Sequence, residues 1–237
     1  MKRLNWLAFG RWSSRQSCKA RRRVAQCKAC GDEDRLLPVP CHFMKQSFPK
    51  PLSTPRLILR RLKRGDAAAI CGYRSLPEVA RYQSWESFGL DAATQLIEEH
   101  REKEPGVPGT WFQMAIVEKE SGGMVGDCGL HCRKDDPRQM EVGVTLAPSH
   151  QGNGYATEAL ACLLDFIFGP LGKHRVSAVT DAENRPAAAL FRRLGFRQEA
   201  HFVDHLWFKG HWGSEFVFAL LRREWESRRA DRAQDRR

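Results

Sequence analysis

The segment His150-Gln151-Gly152-Asn153-Gly154-Tyr155-Ala156-Thr157-Glu158 places two glycines directly before a strongly amphipathic stretch. Ala156, Ala159, Leu160, Leu163, Leu164, Ile167 and Phe168 recur at helical spacing, so a loop feeds straight into a helix. The first turn of a helix leaves backbone N–H groups without intrahelical acceptors, and the helix dipole favours negative charge there. Gly152 and Gly154 let the backbone approach a phosphate closely, and Ala156 keeps the first turn uncrowded. The chemistry expected is diphosphate binding by N–H donors from about Gln151, through Gly152, Asn153, Gly154, Tyr155 and Ala156, to Thr157.

Two familiar phosphate loops fit this segment less well. A Walker loop requires Gly-Lys-Ser/Thr after its glycines, and the chain has none. A dinucleotide fingerprint requires a third small residue and a turn directly after the strand, whereas Thr157 holds that position and Ala147–Gln151 lengthens the loop.

The elements that must position the loop can be read from periodicity and breakers. Arg56–Leu62 reads as a strand with Leu57, Leu59 and Arg61 on one face. Gly65-Asp66 opens a helix over Ala67–Tyr73, and Asp91 caps another reaching about Lys103. Trp111–Glu118 and Met124–Cys132 read as a hairpin turning at Ser121-Gly122-Gly123, followed by a strand over Met140–Leu146. After the loop helix, stopped by Gly169-Pro170, come a strand over Arg175–Asp181 and a helix over Pro186–Leu194 closed by Gly195. Late strands at Phe196–Trp207 and Ser214–Leu221 complete a mixed sheet covered by helices.

The chain has 237 residues and a formal charge of +11, but residues 1–43 alone carry a net +7, leaving +4 for the rest. The basic excess therefore sits mostly outside the periodic region, and a specific nucleic-acid partner is not expected. Residues 1–43 show no sustained periodicity and are expected to be a basic, disordered or dispensable extension, with Met44 as a candidate start. Residues 226–237 read as a charged tail. Cys27-x-x-Cys30 with Cys41-His42 could be a zinc set, but a single Cys-x-x-Cys in an Arg-crowded, aperiodic segment favours scattered thiols. Cys71, Cys128, Cys132 and Cys162 read as small buried residues, and the histidines form no metal spacing, so no metal is expected. No apolar run approaches the roughly 20 residues that span a bilayer, and no secretory signal opens the chain, so a cytoplasmic protein without a membrane partner is expected.

Gln151-Gly152-Asn153-Gly154-Tyr155-Ala156 matches the Gln/Arg-x-x-Gly-x-Gly/Ala pattern of the GNAT acetyltransferases, and the longer segment through Thr157-Glu158-Ala159 resembles their RimJ/RimL branch. Further matches keep order and spacing: Leu52–Asp66 resembles the opening strand, Glu141–Val144 the strand before the loop, and Asn184 with Leu190–Phe196 the later turn and Leu-Gly-Phe segment. Phe218–Trp225 resembles the closing strand. The resemblance covers residues 52–225 as one domain. It implies an α/β (α+β) GNAT fold with a mixed, mostly antiparallel sheet of six to seven strands flanked by helices. It also implies transfer of acetyl from acetyl-CoA to a primary amine, of a small molecule or a protein N-terminus, by direct attack. A homodimer is compatible with it.

In that frame the strands Met140–Leu146 and Arg175–Asp181 would splay apart, with backbone near Val144 and Leu146 binding the pantetheine arm and the loop holding the pyrophosphate. Glu141 is the general-base candidate, because an ammonium must lose a proton before it attacks. On its strand Glu141 shares a face with Gly143 and Thr145, where the glycine leaves room for substrate. Asn184 is expected to contact the coenzyme or cap its helix. Phe191 stands where many relatives carry a tyrosine, and Ala187 where a serine often follows the Asn, so neither supplies a proton to the leaving thiolate. Tyr82, Trp85 and Trp111 are candidates to wall the acceptor pocket, and His150 to support the loop. A coenzyme-binding regulatory module without turnover is the alternative to an enzyme.

Overall fold

The computed structural model describes residues 50–234; the 1–43 extension, Met44 and the Cys27-x-x-Cys30 pair lie outside the described residues. Eight strands form one sheet in the order β1-β2-β3-β4-β5-β6-β8-β7. They are β1 (Leu52–Ser53), β2 (Leu57–Arg61), β3 (Trp111–Glu118), β4 (Met124–Cys132), β5 (Gln139–Leu146), β6 (Arg175–Asp181), β7 (Arg197–Phe208) and β8 (His211–Leu221). Every neighbouring pair is antiparallel except β5 and β6. The mixed, mostly antiparallel sheet is thus as expected, with eight strands rather than six or seven. The additional strand, β1, has two residues, too few to display a period.

Strand alternation sorts the side chains onto two faces. One face carries Leu57, Leu59, Cys128, Leu130, Met140, Val142, Val176, Ala178, Phe218 and Leu220, packed under α4 (Tyr155–Phe168) and α5 (Arg185–Leu194). The opposite face carries Ala115 and Val117 beneath α1 (Ala67–Arg74) and α3 (Leu90–His100), with Ile70, Tyr73, Ala93, Leu96 and Ile97. The short α2 (Pro77–Ala80) lies between those helices in sequence. On this second face the helices bury side chains of β2 and β3, while Glu141, Gly143 and Thr145 of β5 lie in the rows beyond.

Helix ends differ from expectation in two places. α3 starts after an extended Gly89, so Asp91 lies inside the first turn, where its charge meets the dipole, and does not cap. The closing strand ends at Leu221, and Arg222–Gln234 form a helix, α6, in place of more strand and a charged tail. Its anchor is Trp225, buried to 2 % exposure, whose Nε1 donates to Asp165 Oδ1 on α4 at 2.8 Å.

A polar cluster joins α1 to β4. Asp127 and Arg74, both with side chains 1 % exposed, pair at 2.5 Å (Nη2–Oδ2) and 3.2 Å (Nε–Oδ1), and Tyr73 Oη and Gln113 Nε2 also donate to Asp127. Burial first, then the Asp127 charge, pushes the Tyr73 hydroxyl well up, so it remains a donor.

Candidate active site

The parallel strands β5 and β6 pair over Gln139–Arg175, Met140–Val176 and Glu141–Ser177, and no further. β5 stays paired to β4 as far as Leu146, so a gap opens beyond Glu141. Antiparallel register decides which backbone groups face it. Ala147 N–H donates to Val125 O at 2.9 Å, so Thr145, Gly143 and Glu141 also direct their main-chain groups to β4. The alternate residues Val142, Val144 and Leu146 direct theirs into the gap. Both strand residues expected to bind a polar arm, Val144 and Leu146, are among them.

At the end of β5 the chain makes a single 3-10 turn, Pro148–His150. Gln151 N–H donates back to Pro148 O at 3.1 Å, so it is already used, and the donor set begins at Gly152 rather than Gln151. The Gln151 side chain instead ties loop to strand, its Nε2 donating to Leu146 O at 3.1 Å. Gly152 and Gly154 both adopt left-handed backbone, φ 78° and 79°, which only glycine takes without strain. The first intrahelical bond of α4 runs from Glu158 N–H to Gly154 O at 3.0 Å. Among the described residues, no backbone acceptor meets the N–H groups of Gly152, Asn153, Gly154, Tyr155, Ala156 or Thr157. Six N–H donors thus lie at the positive end of a 14-residue helix, an arrangement that favours an anion.

Side chains not singled out from sequence fix this arrangement. Arg56 donates from Nε to Glu158 Oε2 at 2.7 Å, from its backbone N–H to Oε1 at 2.9 Å, and from Nη1 to Asn153 O at 3.0 Å. Its guanidinium lies 4.6 Å from the centre of the Tyr155 ring. Thr54 Oγ1 donates to the same carboxylate at 2.5 Å. Burial alone would raise the Glu158 carboxyl, but these bonds outweigh it and hold it below its usual range. Arg193 Nη1 reaches Thr157 Oγ1 at 3.4 Å, so cations flank the first turn of α4 from two sides. His150 supports the loop from outside, with Nδ1 2.9 Å from Ser149 Oγ and its ring stacked near Tyr155.

Glu141 stands where the gap opens. Cross-strand register lines up Trp111, His131, Glu141 and Ser177 on the face away from α4, and Trp111 stacks on His131 with centroids 5.1 Å apart. The carboxyl is half-buried, and it is raised to about 7, first by burial, then by the charge of Glu215, with Arg133 opposing. A carboxyl that titrates near neutrality can take up and release a proton under ordinary conditions. Glu215 lies on β8 on the same face, 5 % exposed, with His205 Nε2 2.9 Å from Oε2. Its signal in the sequence was the alternation of Glu215, Val217 and Ala219 against Phe216, Phe218 and Leu220.

Asn184 caps α5, its Oδ1 accepting from Ala187 N–H at 3.2 Å. Phe191 is fully buried against Phe196 and Phe218, centroids 5.4 and 5.6 Å away, so its position belongs to the core. Of the aromatic wall candidates, Trp111 lies in the Glu141 row. Trp85 donates to Arg74 O at 3.0 Å under the Arg74 guanidinium, and Tyr82 lies against Arg81. Gln83 Nε2, 3.4 Å from Thr145 Oγ1, brings this segment to the end of β5. Lys209, at the β7–β8 turn, donates to Ala80 O and Trp85 O at 2.7 Å each. Among the described residues no cluster of His, Cys, Asp and Glu could hold a metal ion, and no helix is long and apolar enough to cross a membrane.

Comparison with known proteins gives these features a context. Residues 56–197 match the family model described as Acetyltransferase (GNAT) domain. The chain is 31% identical over 175 residues to p20, an uncharacterized N-acetyltransferase of Bacillus licheniformis, covering 73% of this chain and 97% of that one. It is 27% identical to the spermidine N(1)-acetyltransferase of Vibrio cholerae, covering 66% and 88%. Among solved structures, a GNAT-family acetyltransferase from Bacillus anthracis matches with TM-score 0.67 and 22% identity over 74% of this chain and all of that one. The ribosomal-protein-S5-alanine acetyltransferase of Vibrio fischeri matches with TM-score 0.62 and 21% identity over 74% and 98%.

Proposed function

This chain belongs to the GNAT acetyltransferase family and is an acetyl-CoA-dependent N-acetyltransferase; from that premise we propose that it acetylates a primary amine with Glu141 as general base and the Gly152–Thr157 loop as the coenzyme's phosphate seat. The observation that carries the proposal is the opening of the β5–β6 gap immediately after Glu141, next to six N–H donors without backbone acceptors.

Acetyl-CoA supplies the activated acyl carbon. The chain's residues do the rest. Gly152, Asn153, Gly154, Tyr155, Ala156 and Thr157 donate N–H groups to the diphosphate, with Gln151 and Arg56 holding the loop in shape. Val144 and Leu146 offer main-chain groups to the pantetheine amides across the gap. Asn184 adds a contact to the coenzyme beside its capping bond. The acceptor arrives as an ammonium on the face bearing Glu141, whose carboxylate takes one proton and leaves a neutral amine to attack. With Phe191 in the core, the proton needed by the departing thiolate comes from water or from the protonated Glu141.

The acceptor in this reading is a small amine or a protein N-terminus, in keeping with relatives named for spermidine and for a ribosomal protein. The carboxylates Glu141 and Glu215 on the acceptor face suit a cation of either kind. The reading also places the activity in residues 52–225 and the protein in the RimJ/RimL-like branch and the cytoplasm. The test is release of CoA thiol from acetyl-CoA with spermidine, a free-amine peptide beginning with alanine, and an aminoglycoside, for the wild type and Glu141→Gln. Turnover of one class, lost in Glu141→Gln, is the expected outcome. Undiminished turnover in Glu141→Gln removes the base from the reading.

A further inference from the structure

Glu118 ends β3, whose side chains Phe112, Met114 and Ile116 pack under α4, so strand alternation sets Glu118 on that same face. There it meets the first residue of α4. The Tyr155 hydroxyl donates to Glu118 Oε1, and Ser121, in the β3–β4 turn, donates from Oγ to Oε2 at 2.7 Å. The Arg56 guanidinium lies over the ring of the same tyrosine, 4.6 Å from its centre. Register brings Arg56 to this end of β3, since Leu57 pairs with Glu118 and Arg56 O accepts from Lys119 N–H at 2.9 Å. The backbone N–H, Nε and Nη1 of Arg56 are spent on Glu158 and Asn153 O, whereas Nη2 meets no acceptor among the described residues. That nitrogen lies 3.5 Å from where a Cβ on Gly154 would stand, against the left-handed turn that opens α4.

Charge alone argues against a carboxylate at this place, because an anion beside a phosphate seat repels the ligand. Its presence is explained by what it holds. The Arg56 side chain is nearly half exposed, so core packing does not fix it. Ordering such a side chain only when the ligand arrives costs rotamer entropy, a cost that a side chain already in place avoids. We propose that Glu118 is a positioning residue for coenzyme binding: through the Tyr155 hydroxyl it fixes the ring under Arg56 and keeps Nη2 aimed at the diphosphate. The inference rests on the reading of Gly152–Thr157 as the phosphate seat. Arg56 then serves the seat twice, shaping the loop through Nη1 on Asn153 O and donating to the ligand through Nη2. Glu158 holds the guanidinium by Nε, and the Tyr155 ring sets its plane. Glu118 acts through these two side chains and not on the coenzyme itself.

The test is a double-mutant cycle on CoA affinity, measured by calorimetry, with thermal melting to show that each variant is folded. Glu118→Ala is expected to weaken CoA binding about fivefold, although the loss of an acid would by charge alone tighten it. Tyr155→Phe removes only the hydroxyl and should weaken binding to the same degree. Glu118→Gln still accepts from that hydroxyl and should stay within about twofold of the wild type. Arg56→Ala is expected to cost about tenfold, and Glu118→Ala in that background nothing further; a merely structural role would multiply the two losses to about fiftyfold. If Glu118→Ala does not fold, Tyr155→Phe, alone and combined with Arg56→Ala, decides. Unchanged CoA affinity in folded Glu118→Ala or Tyr155→Phe, or losses that multiply in the double variant, overturns the proposal. Gly154→Glu separates this result from the reading beneath it. Wild-type affinity in Gly154→Glu removes the seat itself, whereas affinity lost there but kept in Glu118→Ala removes only the positioning role.

Discussion

Asp127→Ala is the perturbation with the largest effect to be expected on stability. Asp127 accepts from Arg74 at 2.5 and 3.2 Å and from Tyr73 and Gln113, and both members of the ion pair are 1 % exposed. Removing the carboxylate leaves the Arg74 guanidinium buried without its counter-charge, which costs about 3–5 kcal/mol. The remaining donors lose their acceptor at the same time, so the upper half of that range applies. For a domain of this size each kcal/mol moves the melting temperature by about 2–4 °C, giving a fall on the order of 10 °C. The assay is thermal and urea denaturation of the wild type, Asp127→Ala, and the double variant Arg74→Met/Asp127→Leu. Replacing both partners removes the stranded charge, so the double variant should recover much of the loss. A loss below about 1 kcal/mol in Asp127→Ala, or a double variant worse than the single one, would mean that a stranded charge is not the source of the cost.

Glu141→Gln should lower kcat/KM by roughly 10²–10⁴-fold, the usual contribution of a positioned base. Because the ionised form accepts the proton and the carboxyl titrates at about 7, wild-type kcat/KM should rise as pH increases through 7; a rate flat from pH 5 to 8 contradicts this. Gly154→Glu introduces a side chain at φ 79° and a negative charge at the phosphate seat, and calorimetry should show acetyl-CoA affinity falling by at least about 100-fold. Arg56→Ala frees Asn153 O and removes the guanidinium from Glu158, which keeps the Thr54 hydroxyl and the residue-56 N–H, and should weaken the same affinity by about tenfold while leaving the fold intact, as read by circular dichroism. His100 is 3 % exposed and its imidazole is lowered to about 4, chiefly by burial, against 6.5 when free. The unfolded chain therefore binds the proton first, and stability should fall by up to about 3 kcal/mol between pH 6.5 and 4, a slope that urea midpoints should show flattened in His100→Leu.

The parts of the fold written in local pattern are legible in the sequence itself. The alternation in Trp111–Glu118, Met124–Cys132 and Arg175–Asp181 matches β3, β4 and β6 to the residue, and the helical stripe from Ala156 to Phe168 matches α4. What was illegible depends on partners distant in sequence. Arg222–Gln234 is so charged that it reads as a tail, and the contacts that dock it as a helix, Trp225 and Arg229 on Asp165 of α4 and Arg197 on Glu224, come from residues distant in sequence. The Arg74–Asp127 pair is invisible for the same reason, since a charged residue on a helix is ordinarily solvated. At the site, the two glycines announced the loop, whereas Arg56 and Arg193 join it only because β2 and α5 pack beside α4. Asp91 misled because an acid near a helix start serves the first turn as well as the cap position.

A crystal structure of the protein with CoA would test the assignment of the coenzyme site outright. The diphosphate is expected on the N–H groups of Gly152 to Thr157, between Arg56 and Arg193, with the pantetheine arm in the gap between β5 and β6 and its thiol near Glu141. Coenzyme bound elsewhere, or a diphosphate that leaves those N–H groups unpaired, would contradict it.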